Sequence, residues 1–337
     1  MLRYVLRRAI ATIPVLIGIS LVLFVGIRML PGDPATAILG QHATPAAVIQ
    51  VRHELGLDQP IYVQYASYVW QLLHGDLGVS YLNNKSVLSQ FGTRFPATVE
   101  LTLAAMIVAV GFGVPLGRIA ARQPRSGIDG VVTVLSVTGV AIPVFVLGLT
   151  LQYLFGVVLP FLPTTGRLDT RLTFGIPATT HFMLLDTLLA GRPDALVDAL
   201  RHLVLPALTL GSIPLAIVTR MTRAAYSDVA KEDYVRTARS KGLTESRVDS
   251  RHIMRNAWIP VITIIGLQFG SLLGGAVITE TVFGWDGVGS WVVSAILNHD
   301  YFVVQSCVLI FALIFVVVNL VVDVLYGFLD PRVRDAR

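Results

Sequence analysis

This sequence predicts an all-α membrane protein with six transmembrane helices. Three observations carry that expectation. Of 337 residues, 54% are hydrophobic and only 14% charged, with a mean hydropathy of +0.70, the balance of a polytopic membrane protein rather than a soluble domain. The apolar residues fall into long uncharged runs, each enough to cross about 30 Å of hydrocarbon as a helix. The basic residues concentrate in the segments that six crossings would place on one side. One membrane domain, 1–337, is the natural count.

Taken in order, the first run follows the basic start Arg3, Arg7, Arg8 and extends from Ala9 to Ile27. It resembles a signal peptide at its front. Its length, and an end at Arg28 through Pro34 without a small-x-small site, predict a retained first span. Pro14 falls near its start, where a helix tolerates proline. A long connection, 31–97, follows. Within it Thr44 caps a helix from Pro45 to Gly56, and a second helix covers Gln59 to His74, rich in Tyr62, Tyr65, Tyr68 and Trp70. The second span is expected at about Thr98 to Ile119. The third uncharged run, Val131 to Leu162, is too long for one upright helix and too short for two. A helix kinked at Pro143 with a re-entrant piece reconciles it. A second long connection, 163–201, contains the apolar stretch Thr180 to Leu189, too short to span. The remaining spans lie between His202 and Arg220, Arg255 and Glu280, and Asp300 and Asp323.

Six crossings put both termini on one side. With that side cytoplasmic, 18 of the 26 Lys and Arg residues are inside, as the positive-inside rule requires. The net charge of +5 is therefore a topology signal, and nucleic acid is an unnecessary partner.

The one densely charged stretch is Asp228 to Pro260, within a cytoplasmic loop 224–257. A helix from about Ala230 to Lys241, a left-handed joint at Gly242, and a second helix from Glu245 to Asn256 capped by Thr244 would form a knob about 20–30 Å long. A solvated connector is the bland alternative. A docking element for a soluble partner is the functional one.

Several machineries are excluded. The three lysines, Lys85, Lys231 and Lys241, do not complete a phosphate-binding loop. There is no H-E-x-x-H or G-x-S-x-G, and the scattered histidines give no metal-ligand pair. Glu100, Glu280, Arg220 and Asp323 fall near span ends rather than at mid-membrane, where a charge costs about 2.5–3.5 kcal/mol. That disfavours a proton relay, and with it a proton-coupled secondary transporter. An intramembrane enzyme lacks a nucleophile or metal set. Asp323 reads as a structural partner. For Glu280, lining of a path and fixing of a loop stay open.

The run Tyr234, Val235, Arg236, Thr237, Ala238, Arg239, Ser240, Lys241, Gly242, Leu243 resembles the "EAA" coupling loop of ABC importer permeases, in the form found in the dipeptide/oligopeptide/nickel family. Ala238 and Gly242 match the motif. Arg236 stands in place of its glutamate and Thr237 of its first alanine. Leu30-Pro31-Gly32-Asp33-Pro34 is similar to the first of that family's two paired permeases, and Leu55-Gly56-Leu57-Asp58 to its external loop. Leu203 to Gly211, Glu280 to Gly289 and Leu329 to Arg334 resemble it further, with Asp286 where the family has a proline. The resemblance implies a type I ABC importer permease fold with a large external loop after the first helix. It implies a non-catalytic subunit with no cofactor of its own, ATP and Mg being held by two partner ATPases. A second homologous permease, an external solute-binding protein, peptide substrate and membrane lipid complete the implied partners, in a bacterial or archaeal cytoplasmic membrane. Nickel or another small solute is the alternative cargo. Tyr234, Val235, Arg236, Thr237, Ala238, Lys241, Gly242 and Leu243 would couple to the ATPase. Glu280, Asp286 and Asp300 are candidates for the external mouth of the path.

Overall fold

The computed structural model describes residues 2–29, 34–39, 43–54 and 56–329. The motif residues 30–33 and 330–337 lie outside it, as do the side chains of Arg3, Arg7, Arg8 and Asp323. Among the described residues the chain is helical, with one isolated bridge, Val79 to Ser86, in place of a sheet.

The helices, numbered in chain order, are α1 (Leu2–Arg28), α2 (Pro34–Leu39), α3 (Pro45–Glu54), α4 (Ile61–Leu73), α5 (Val87–Arg122), α6 (Gly127–Ala141) and α7 (Val144–Val158). There follow α8 (Met183–Leu189), α9 (Pro193–Val229), α10 (Asp233–Ser240), α11 (Glu245–Gly275), α12 (Val277–Val282), α13 (Val288–Leu297) and α14 (Tyr301–Leu329). Among the described residues four helices are each long and apolar enough to cross a membrane, and the bent pair α6–α7 makes a fifth candidate. α1 has 27 residues, with an apolar stretch at Ile10–Gly26.

Four expected elements differ in extent. The break in the third run falls at Pro143 as expected, but the chain turns there by 101°, far more than a kink. Proline lacks the N–H and blocks the α region for Ile142, and Ile142 is extended, at ψ 123°. The second and fourth runs belong to helices of 36 and 37 residues, about 55 Å each. Both helices run on past their apolar runs through polar residues, α5 continuing through Pro96 and α9 starting at Pro193, where the first turn tolerates proline. The second helix of the charged loop is likewise not separate. From Glu245 it continues without a break to Gly275, through a π-helical stretch Val248–Met254.

α5 and α9 form the spine and run parallel. A Cβ on Gly117 would lie 2.5 Å from the Thr219 carbonyl oxygen, one on Gly113 3.1 Å from that of Leu215, and one on Gly211 2.7 Å from that of Ala105. Small residues are what let two helix backbones approach this closely within a membrane. Gly266 and Gly270 do the same for α11 against Val322 and Val318 of α14. Arg223 of α9 grips Asp129 with two bonds, 2.6 and 2.8 Å, and so fixes the start of α6.

Candidate functional site

The charged loop forms a knob at the C-terminal ends of α5 and α9. α9 ends at Val229, and α10 restarts after Glu232 with Asp233 in its first turn, where negative charge suits the helix dipole. Gly242 has φ +76°. Its N–H bonds Arg239 O at 2.9 Å, and Leu243 N–H bonds Ala238 O at 3.4 Å. This is a Schellman motif, and its left-handed residue is the reason glycine stands at 242. Thr244 precedes α11 as expected, but its hydroxyl makes no cap bond. Its carbonyl accepts from Arg247 and Val248 instead.

The structure divides the eight predicted coupling residues. Val235 (0% exposed) and Ala238 (5%) point inward, into a cluster with Ala225, Tyr226, Val248, Ile253 and Ala257. They root the knob in its own chain and cannot touch a partner. Leu243 packs at the edge of that cluster. Tyr234, Arg236, Thr237, Lys241 and Gly242 are exposed. The Tyr234 hydroxyl accepts a bond from Asn256 at 2.8 Å, and Arg239 bridges to Glu245 at 3.0 Å. These side chains tie α10 to α11. The exposed face of α10 is charged, with Arg236 paired to Asp233 at 3.4 Å and Arg239 to Glu245.

Beneath the knob lies a group the sequence did not single out. Asp249, 1% exposed, takes a short charge-assisted bond from Arg118 of α5 and contacts the Tyr226 hydroxyl of α9. One carboxylate thus joins α11, α5 and α9. Arg118 counts toward inside charge in the sequence, and Asp249 is one acid among many basic residues. Only the packing brings them together.

The opposite ends of α5 and α9 carry a second network. Glu280 is fully buried and accepts from the Thr98 hydroxyl at 2.6 Å and the Ser290 N–H at 2.9 Å. A Cβ on Gly287 would lie 2.3 Å from its carboxylate. The Trp285 ring N–H donates to Ala97 O at 2.9 Å. Of the two roles left open for Glu280, this geometry is that of a loop clasp. Asp300 is also fully buried, accepting from Ser80 Oγ at 2.6 Å. Asp286 is exposed, 3.3 Å from Arg94. The three predicted mouth residues therefore do not share one surface. Glu100, named in the sequence only for its position, accepts from Arg167 at 2.7 Å and from Leu184 N–H at 2.8 Å. It pins the segment leading into α8.

The model of the family described as "Binding-protein-dependent transport system inner membrane component" matches residues 113–335, and the model of its N-terminal part matches residues 1–102. The chain is 48% identical to the di/tripeptide transport system permease protein DppB of Pseudomonas aeruginosa (strain UCBPP-PA14), over 100% of both chains. It is 44% identical to the dipeptide transport system permease protein DppB of Escherichia coli (strain K12), over 99% of each. It is 40% identical to the glutathione transport system permease protein GsiC of Salmonella choleraesuis (strain SC-B67), again over 99% of each.

Proposed function

Because this chain belongs to the family of binding-protein-dependent transport system inner membrane components, we infer that its α10 knob is the point at which ATP hydrolysis elsewhere is converted into helix movement. The chain is a permease subunit of an ABC importer for peptides, a multi-pass protein of the inner membrane. Six helices cross: α1, α5, the α6–α7 pair, α9, α11 and α14. Both termini are cytoplasmic, and the distribution of basic residues supports that orientation. The segments 31–97 and 163–201 face outward, and 224–257 faces the cytoplasm of a bacterial or archaeal cell.

The partners are a second homologous permease, two ATPases that hold ATP and Mg, and an external solute-binding protein. Di- and oligopeptides are the cargo, in keeping with the names of the relatives. Closure of the ATPase pair pushes the outer face of α10. Its root, Val235 and Ala238, passes the push to α9 and α11, which Asp249 and Arg118 tie to α5. The path then opens to the outside and receives peptide from the binding protein.

The observation that carries this reading is that α10 is rooted by buried residues yet presents an exposed, charged face. Gly242→Glu tests it against Gly242→Ala. No atom lies within 4 Å of a Cβ there, so both variants bear the same backbone strain and only one adds charge. Gly242→Glu should still co-purify with the second permease but lose ATP-driven dipeptide uptake, whereas Gly242→Ala keeps most of it. Equal uptake by both would refute the coupling role.

A further inference from the structure

The seam between α1 and α14 carries two cavities in succession that the transport reading does not use. The first, of about 690 Å³, lies at the end of α1 beneath α4. Arg28, Arg52, Glu54, Gln64, Tyr68 and Gln305 line it. Arg28 gives Nε and Nη2 to Gln64 Oε1, at 3.0 and 2.8 Å, and Nη1 to Phe24 O at 3.4 Å. A guanidinium has five N–H donors, so two remain. Its plane is held 3.5 Å from the Phe24 ring, and among the described residues no carboxylate pairs with it. Gln305 is 6% exposed. Its side chain faces the Tyr68 hydroxyl, and among the described residues neither Gln305 Nε2 nor that hydroxyl has any other partner. An amide nitrogen has two N–H donors and a phenol can both donate and accept, so the pair retains donors for a further ligand.

The second cavity, of about 770 Å³, lies further along α1 and α14, with Gly270, Ser271 and Gly274 of α11 completing its wall. It is a chiefly apolar crevice, with Val15 and Ile19 on α1 and Val308, Phe311 and Phe315 on α14. Val308 lies one turn beyond Gln305, about 4.5 Å along the axis. Outside the seam, Leu21, Val22 and Val25 of α1 are exposed, as a lipid-facing helix requires. A cationic, donor-rich cleft followed by a greasy crevice has the polarity profile of an amphiphile.

We propose that this seam binds an anionic glycerophospholipid, its phosphate against Arg28, Tyr68 and Gln305 and an acyl chain in the Val15–Phe315 crevice. The site would hold α1 and the α3–α4 connection against α14. The proposal rests on the membrane placement of α1 and α14, and on neither the orientation nor the ATPase partners.

Native mass spectrometry of the full chain, purified with whatever subunits accompany it and titrated with phosphatidylglycerol or phosphatidylcholine, tests it. Lipid adducts on this chain are resolved whether or not partners are present, so a failure here leaves the transport reading intact, and the reverse also holds. The wild type should retain one phosphatidylglycerol through mild activation. Arg28→Gln should lower that retention about tenfold, the worth of a charge-assisted contact, and Arg28→Lys should restore most of it. Val15→Trp, which fills the crevice, should lower retention of both lipids. Retention unchanged in Arg28→Gln would overturn the proposal. So would displacement of the lipid by inorganic phosphate or a dipeptide at equal concentration, since a soluble anion would then be the occupant. Adducts lost in the wild type when the second permease is present would assign the crevice to that chain and also overturn it.

Discussion

Gly117→Ala should destabilise the protein although it adds only one methyl group. The Cβ would stand 2.5 Å from Thr219 O, 2.8 Å from Thr222 Cβ and 3.1 Å from Arg223 N. Two of these neighbours are backbone atoms of α9 and cannot rotate away. Ordinary contact begins near 3.4 Å, so α5 and α9 must part by roughly 1 Å. Overpacking of this kind costs about 1–3 kcal/mol, and a gap of that width forfeits about a quarter to a half of the dispersion well along the rest of the seam. Gly111 provides the control. It is on the same helix, and a Cβ there meets nothing within 4 Å. Gly111→Ala should gain up to about 1 kcal/mol of helix propensity. The assay is the unfolding midpoint of each purified variant in one detergent at a fixed heating rate, with dipeptide uptake alongside. Gly117→Ala should melt several degrees below the wild type and transport less, because α9 carries the knob. Gly111→Ala should melt at or above the wild type. Equal midpoints for the two variants would refute the close-packing argument.

Two further predictions concern the loops. Glu280→Ala leaves the Thr98 hydroxyl and the Ser290 N–H without their acceptor, at about 1–3 kcal/mol for each. The expected result is faster proteolysis across 284–290 and a lower melting midpoint, with Glu280→Gln intermediate because it keeps one acceptor oxygen. A wild-type cleavage rate in Glu280→Ala would show that the clasp does not hold this loop. In the first connection, His53 Nδ1 and Asp58 Oδ2 are 2.7 Å apart. The bond to Asp58 raises the His53 pKa above 6.5 and lowers that of Asp58 below 3.8. The histidine contribution is complete below pH 6.5 and is lost as pH rises through the raised value. The aspartate contribution is present above pH 3.8 and is lost as pH falls through the lowered value. Nicking of the 56–60 link should therefore be slower at pH 5.5 than at pH 8.5, and the difference should vanish in His53→Phe. The same pH dependence in that variant would assign it to another group.

Local chemistry was legible wherever one or two residues decide a conformation. Gly242 does take the left-handed joint. Pro143 does break the third run. The Thr44 hydroxyl does accept from Ala47 N–H, at 3.3 Å, ahead of the predicted helix. The aromatic helix after Gln59 is α4, starting at Ile61 after Pro60. Helix ends were less legible. α5, α9 and α11 all extend past the apolar runs, because hydrophobicity marks the part of a helix in lipid and says little about where polar turns beyond it stop.

The sequence by itself determined that the chain is helical and membrane-bound, that its basic loop stands between two long apolar helices, and which family it resembles. Apolar runs, glycine and proline act locally, and their effect can be read along the chain. Tertiary structure alone decided which polar residues are buried and whom they meet. Glu280 reaches back 182 positions to Thr98, and Asp249 131 positions to Arg118. It also decided that Val235 and Ala238 face inward while their neighbours face out. A charged side chain carries the same letter whether it is solvated or clasped, and its partner is chosen by how distant helices pack.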